Sequence, residues 1–263
     1  MSAIERVDMG EILTAYEKCG DGPPLILVHG AEGDRRQYQG LMPLLAPYFT
    51  VISYDQRDTG DTLNPATPYT MSDLGRDLGD FIGALGYDKA HVFGTSYGGV
   101  IAQNAALERP DRIDRLVLSA TTASEPGTAS MGPAAAELAK SSDPAAREQL
   151  MKLYVAKKNR EPDRWPAVLA AMQARRTTRP VEGHARRMQA VMSNATSARL
   201  GEILCPTLII VGAEDEIVPP DRSRFLAEHI PQAKLHILPD AGHGWTMEFP
   251  ELAVELLRDF LLA

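Results

Sequence analysis

The stretch His91-Val92-Phe93-Gly94-Thr95-Ser96-Tyr97-Gly98-Gly99-Val100-Ile101-Ala102 decides how this chain is read. Its opening is short, apolar and β-prone, and its close is apolar and helix-compatible. Between them Gly94-Thr95-Ser96-Tyr97-Gly98 matches G-x-S-x-G, so Ser96 stands on a sharp turn from strand to helix. On such a turn the residues two places away must lack side chains that would clash, and Gly94 and Gly98 meet that need. Gly99 lets the helix pack closely. The first turn of a helix also points backbone N–H groups at the same spot, which favours developing negative charge. Ser96 is therefore the candidate nucleophile, and the Tyr97 N–H directly after it is a candidate donor to an oxyanion.

Working outward, apolar runs recur at Leu25–Val28, Thr50–Tyr54, His91–Gly94, Leu116–Ser119, Thr207–Val211 and Lys234–Leu238. Unbroken apolar runs suit strands buried on both faces, as in a parallel sheet. Amphipathic stretches separate them. In Met71–Leu85 the residues Leu74, Leu78, Phe81, Ile82 and Leu85 fall on one face, with Ser72 or Asp73 as a cap and Gly86 as a stop. Val100–Leu107 and Ala253–Leu262 read as further helices. Alternating strands and helices predict an α/β chain with a mostly parallel, doubly wound sheet, whose ligands bind at the carboxyl ends of the strands. The alternation lapses over residues 121–200, which hold helix-like segments at Ala134–Ala139, Ala145–Val155, Trp165–Arg176 and Gly183–Met192, broken by prolines. The expected organisation is a core of residues 1–120 and 201–263 with a helical lid of residues 121–200 inserted between two strands.

A serine hydroxyl needs a base. Of the six histidines, His243 lies in Asp240-Ala241-Gly242-His243-Gly244, a loop just after the last strand and on the same edge as Ser96. His91 and His236 lie within strands, His229 ends a helix, and His184 falls in the insertion. His243 is the candidate base, and a base needs an acid to fix its tautomer. The loop after Val211 offers three: Glu214, Asp215 and Glu216.

These motifs resemble the α/β-hydrolase superfamily over nearly the whole chain, from about residue 10 to residue 262. Gly212-Ala213-Glu214-Asp215-Glu216-Ile217-Val218-Pro219 resembles the family's G-x-x-D-x-hydrophobic-V-P segment, which implies Asp215 as the acid. The order Ser96, Asp215, His243 is also the family's. His29-Gly30-Ala31 resembles the H-G-x motif, which implies the Ala31 N–H as the second oxyanion donor and His29 as a supporting residue. Asp55-Gln56-Arg57-Asp58-Thr59-Gly60 resembles the D-x-R-G-x-G segment, with Asp58 where glycine is usual. Variants of that kind are similar to esterase-like members, including anthracycline methyl-esterase relatives.

The 263 residues are 44% hydrophobic and 24% charged, an ordinary globular balance. A net charge of −8 argues against nucleic-acid partners. No apolar run is long enough to span a membrane, and the N-terminus lacks a signal-peptide pattern, so a cytoplasmic protein is expected. Cys19 and Cys205 form neither a disulfide framework nor a metal site. Neither metal-ligand spacing nor a dinucleotide fingerprint occurs, and no cofactor is expected. The insertion is basic, with 13 Lys and Arg against 7 Asp and Glu. Solvated arginines, or arginines attracted to an acidic core, would account for that balance. The sharper reading is an anionic small-molecule substrate held by Arg175, Arg176, Arg179, Arg186 or Arg187, with Trp165 in an apolar wall; a carboxylated lactone, as handled by enol-lactonase relatives, would fit. The resemblance implies a serine hydrolase acting on a carboxylic ester or lactone. The alternatives are carbon–carbon bond hydrolysis of a vinylogous diketone, which shares the same residues, and a ligand sensor without catalysis.

Overall fold

A computed structural model of the chain describes residues 3–124, 131–174 and 180–263. Eight strands form one sheet in the order β1-β2-β4-β3-β5-β6-β7-β8. They are β1 Glu5–Asp8, β2 Leu13–Cys19, β3 Pro24–Val28, β4 Thr50–Tyr54, β5 Ala90–Thr95, β6 Ile113–Ser119, β7 Thr207–Gly212 and β8 Lys234–Leu238. From β4 to β8 every pairing is parallel, whereas β1 and β2 join antiparallel at one edge. The six apolar runs are all strands. The antiparallel pair was not expected, because β1 alternates between half-buried and exposed residues and carries no apolar run.

Period-2 geometry explains why the central strands read as unbroken apolar runs: each sends alternate residues to two cores. Ile26, Val28, Val92, Leu116, Leu118 and Ile209 face one side. There they pack with α2 (Met71–Ala84), α3 (Tyr97–Glu108) and Leu226 of α8 (Pro220–His229). Leu25, Leu27, Phe93, Val117, Leu208 and Ile210 face the other, against α1 (Met42–Leu45), Trp245 of α9 (Trp245–Glu248) and Leu257 of α10 (Pro250–Leu261). Neither expected cap of α2 is the residue that caps it. Thr70 is the N-cap, in a reciprocal capping box with Asp73. Its helix stops at Gly86, whose φ of +85° a side chain would strain. Helix α3 starts at Tyr97, one residue after Ser96, rather than at Val100.

Between β6 and β7 the chain forms α4 (Pro133–Ala139), α5 (Pro144–Lys152), α6 (Trp165–Ala174) and α7 (Val181–Met192). No strand occurs among the described residues of this segment. The segment is tied to the carboxyl-end loops of the sheet by ion pairs: Arg160 to Glu216 at 2.6 Å and Arg186 to Asp58 at 2.6 Å. Arg199, just after α7, pairs with Glu108 at the end of α3. The basic excess read from the sequence thus meets acidic residues of the surrounding chain at several points.

Asp58 shows what the departure from glycine does. Its φ is +60°, the region that glycine adopts most easily, so the aspartate carries backbone strain. In return its carboxylate accepts two hydrogen bonds from Arg186 of α7, at 2.6 and 2.9 Å, and one from the Tyr69 hydroxyl at 2.9 Å. Burial opposes ionisation, but Arg186 and Tyr69 outweigh it and hold the carboxyl below the ordinary carboxylate range. A depressed folded pKa contributes stability that is present above the unfolded value of about 3.9 and is lost as pH falls through the folded value. The wild-type Tm should therefore fall more steeply than that of Asp58→Asn between about pH 5 and about pH 3. Parallel acid-side Tm profiles for the two proteins would contradict this.

Candidate active site

Ser96 has φ 53° and ψ −121°, a conformation that L-residues rarely adopt. Backbone bonds hold it there: Ser96 N–H donates to the Ser119 carbonyl at 2.9 Å, and the Ser96 carbonyl accepts from Gly99 N–H at 2.9 Å and from the Thr121 hydroxyl at 2.7 Å. The turn leaves no space for a side chain at Gly98, where a Cβ would strike the backbone oxygens of Val28 and His29. That approach brings the loop after β3 against the turn. A Cβ built on Gly30 would lie 3.6 Å from the Ser96 Cβ, so the His29-Gly30-Ala31 loop borders the candidate nucleophile.

The acid and base candidates come together as the sequence order requires. His243 Nδ1 and Asp215 Oδ2 are 2.8 Å apart, and both residues are buried. The other carboxylate oxygen, Oδ1, accepts from Ile217 N–H at 2.9 Å and Val218 N–H at 2.8 Å. Asp215 is therefore oriented from behind by its own loop, and one face of its carboxylate is left for the imidazole. Pairing at Nδ1 directs Nε2 to the opposite side of the ring. Ser96, Asp215 and His243 follow β5, β7 and β8, parallel strands whose carboxyl ends share one edge of the sheet. Ser119 at the end of β6 bridges them. Its hydroxyl accepts from Trp245 Nε1 at 2.8 Å, two residues after His243, and its carbonyl is the acceptor for Ser96 N–H.

The flanking acids Glu214 and Glu216, alternatives to Asp215 from sequence, do other work. Glu214 accepts from Lys157 N–H at 2.6 Å and Glu216 pairs with Arg160. The β6–β7 segment also reaches the histidine. The Tyr154 ring stands edge-on to the His243 ring with centroids 5.2 Å apart, and the Tyr154 carbonyl accepts from Gly244 N–H at 2.7 Å. Glu248 ties the two together: Oε2 accepts from Gly242 N–H at 2.8 Å, and Oε1 from Ala156 N–H at 2.7 Å and Asn159 Nδ2 at 2.6 Å. Sequence reasoning missed Glu248, Tyr154 and Ser119, since their roles arise from contacts far apart in the chain. Replacing Glu248 by Ala strands three donors and should cost about 2–3 kcal/mol, read as a Tm loss of several degrees. Glu248→Gln keeps one acceptor oxygen and should lose less; equal losses would mean that the charge, not the acceptor count, matters.

Of the expected substrate contacts, Arg175, Arg176 and Arg179 lie outside the described residues. Trp165 is buried; its Nε1 donates to Glu148 at 2.8 Å and the Lys152 ammonium sits over its ring, so these contacts are with α5. Arg186 and Arg187 turn toward the loop after β4, where they meet Asp58, Arg57 and Gln56. Ala31 is half-buried and packs against the first core. No helix among the described residues is long and apolar enough to cross a membrane.

A family model described as alpha/beta hydrolase fold matches residues 23–250. RutD of a Caulobacter species, provisionally named a carbamate hydrolase, is 30% identical over 96% of this chain and 97% of its own length. A thermophilic esterase from Thermogutta terrifontis superposes with a TM-score of 0.83 at 28% identity, over 99% of this chain and 98% of its own. An enzyme that degrades N-acyl homoserine lactones superposes with a TM-score of 0.81 at 26% identity, over 97% of this chain and 100% of its own.

Proposed function

Because the chain belongs to the alpha/beta hydrolase fold family and is a hydrolase, we propose that it cleaves a carboxylic ester or lactone by way of an acyl-enzyme. The observation that carries the reading is the buried Asp215–His243 pair at 2.8 Å, on the same sheet edge as a strained Ser96. Ser96 Oγ attacks the acyl carbon while His243 Nε2 takes its proton. The carbonyl oxygen becomes an oxyanion held by the Ala31 and Tyr97 N–H groups. The imidazolium, stabilised by Asp215, then protonates the leaving alkoxide, and the C–O bond breaks. Water, deprotonated by His243, attacks the acyl-serine and releases the carboxylic acid with Ser96 restored. Residues 121–200 act as a cap over this site and shape its acyl pocket, on a core of residues 1–120 and 201–263.

The esterase and the lactone-degrading enzyme support this choice of bond, and RutD adds a carbamate to the substrates worth testing. A fluorophosphonate probe should label native protein at Ser96, located by mass spectrometry of the labelled peptide. A panel of esters, lactones, carbamates and a vinylogous diketone, in neutral and carboxylated forms, then identifies the bond and tests the expectation of an anionic substrate. Labelling absent from native protein, with no turnover of any acyl compound, would overturn the proposal.

A further inference from the structure

Arg187 of α7 is fully buried, and its guanidinium makes no ion pair among the described residues. Nη2 donates to Gln56 Oε1 at 2.9 Å and Nη1 to the Arg57 carbonyl at 3.2 Å. The buried Nε has no hydrogen-bond partner. An uncompensated cation with an unsatisfied N–H is costly in a protein interior, and an apolar side chain of like volume would avoid that cost. Such a residue calls for a functional account.

Its contacts supply one. The guanidinium lies 4.4 Å from the centre of the Tyr97 ring, and the Tyr97 hydroxyl donates back to the Arg187 carbonyl at 3.2 Å. Tyr97 is thus held at its ring and at its hydroxyl by one residue of the β6–β7 segment. The second contact runs through Gln56, whose Nε2 donates to the His29 carbonyl at 2.9 Å. That carbonyl immediately precedes the Gly30-Ala31 turn. Tyr97 and Ala31 are the two residues assigned above as oxyanion donors, on loops that leave the neighbouring strands β5 and β3 beyond their last paired residues, Gly94 and Val28. We infer that Arg187 is a positioning residue that sets the spacing of the two oxyanion donors and places a positive charge beside them, an inference that rests on the serine-hydrolase reading. Preorganised donors matter most where charge develops, so the effect falls on the transition state rather than on substrate binding.

The test compares wild type, Arg187→Met and Arg187→Lys on a p-nitrophenyl ester. The readouts are kcat and KM, Tm, and inhibition by an aliphatic trifluoromethyl ketone, whose adduct with Ser96 carries the oxyanion. Methionine fills the space without charge or donors. It should lower kcat by about 30-fold or more and weaken the ketone in parallel, with KM within about threefold. The Tm of this variant should lie within a few degrees of wild type, since removal of a buried unpaired cation offsets the loss of its hydrogen bonds to Gln56 and Arg57. Lysine should recover part of kcat, by restoring charge without the fork. If Arg187→Met does not fold, Arg187→Lys carries the test with an expected kcat loss of about fivefold at unchanged KM. Wild-type kcat and ketone affinity in a folded variant would overturn the inference while leaving the proposed chemistry intact. A loss of kcat that only tracks the unfolded fraction would overturn it too. A wild type that neither turns over esters nor reacts with the fluorophosphonate would remove both readings.

Discussion

Ser96→Ala is expected to lower kcat/KM on any turned-over ester by about four orders of magnitude or more, with a Tm within about 2 °C of wild type. In the proposed mechanism the loss is large because the attacking oxygen is removed and water cannot occupy the same aligned position. Stability is spared because the hydrogen bonds that hold residue 96 belong to its backbone: N–H to Ser119, and the carbonyl to Gly99, Val100 and Thr121. Alanine pays the same strain at φ 53° as serine does. The residual rate should exceed that of water, since the proposed oxyanion donors are untouched by the change. Fluorophosphonate labelling should vanish in the same variant. A Ser96→Ala protein with a few per cent of wild-type turnover would identify a different nucleophile, and the proposed mechanism would fail.

Asp215→Asn should be nearly as damaging, by about 10⁴-fold in kcat, through the tautomer of His243 rather than through loss of packing. The two oxygens of Asp215 face different partners. Oδ1 accepts two backbone N–H bonds, from Ile217 and Val218, and Oδ2 faces His243 Nδ1. An asparagine must keep its oxygen toward the two backbone donors, because turning its NH2 group that way would set donor against donor. Its NH2 then faces Nδ1, which can only accept. The imidazole proton moves to Nε2, and no base faces the serine. The fold should survive with a small Tm change, since the amide fills the same space. Rates of Asp215→Asn within about tenfold of wild type would show that another acid orients the histidine. Glu214 and Glu216 are poor substitutes, since each is engaged by the β6–β7 segment.

Much of this architecture was legible in the chain itself. Strands β3 to β7 were readable because they are buried on both faces over most of their length, so their apolar residues are contiguous and need no partner to be recognised. The antiparallel strands β1 and β2 were not, since β1 alternates half-buried and exposed residues and the buried stretch of β2 includes Thr14 and Glu17, so neither shows a contiguous apolar run. Thr70 was overlooked as a cap because it precedes the amphipathic pattern by one residue, and only the reciprocal bonds with Asp73 single it out. Asp58 was visible as a departure from glycine, yet its meaning depends on Arg186, which lies 128 positions away in the sequence.

The sequence by itself determined the strand–helix alternation, the sharp turn at Ser96, and the loops that carry Asp215 and His243. Each follows from local rules, namely period, propensity and the space a glycine leaves. The family resemblance implied Asp215 as the acid, and tertiary structure decided how the three acids divide, by aiming Asp215 at the histidine and pairing Glu214 and Glu216 with the β6–β7 segment. It also decided that Arg186 and Arg187 grip the loop after β4, and that Glu248 binds the histidine loop to Ala156 and Asn159. The physical reason is directional. A carboxylate or guanidinium on a loop can reach several partners, and only the folded chain, by burying it, forces it to choose among the donors and acceptors that remain.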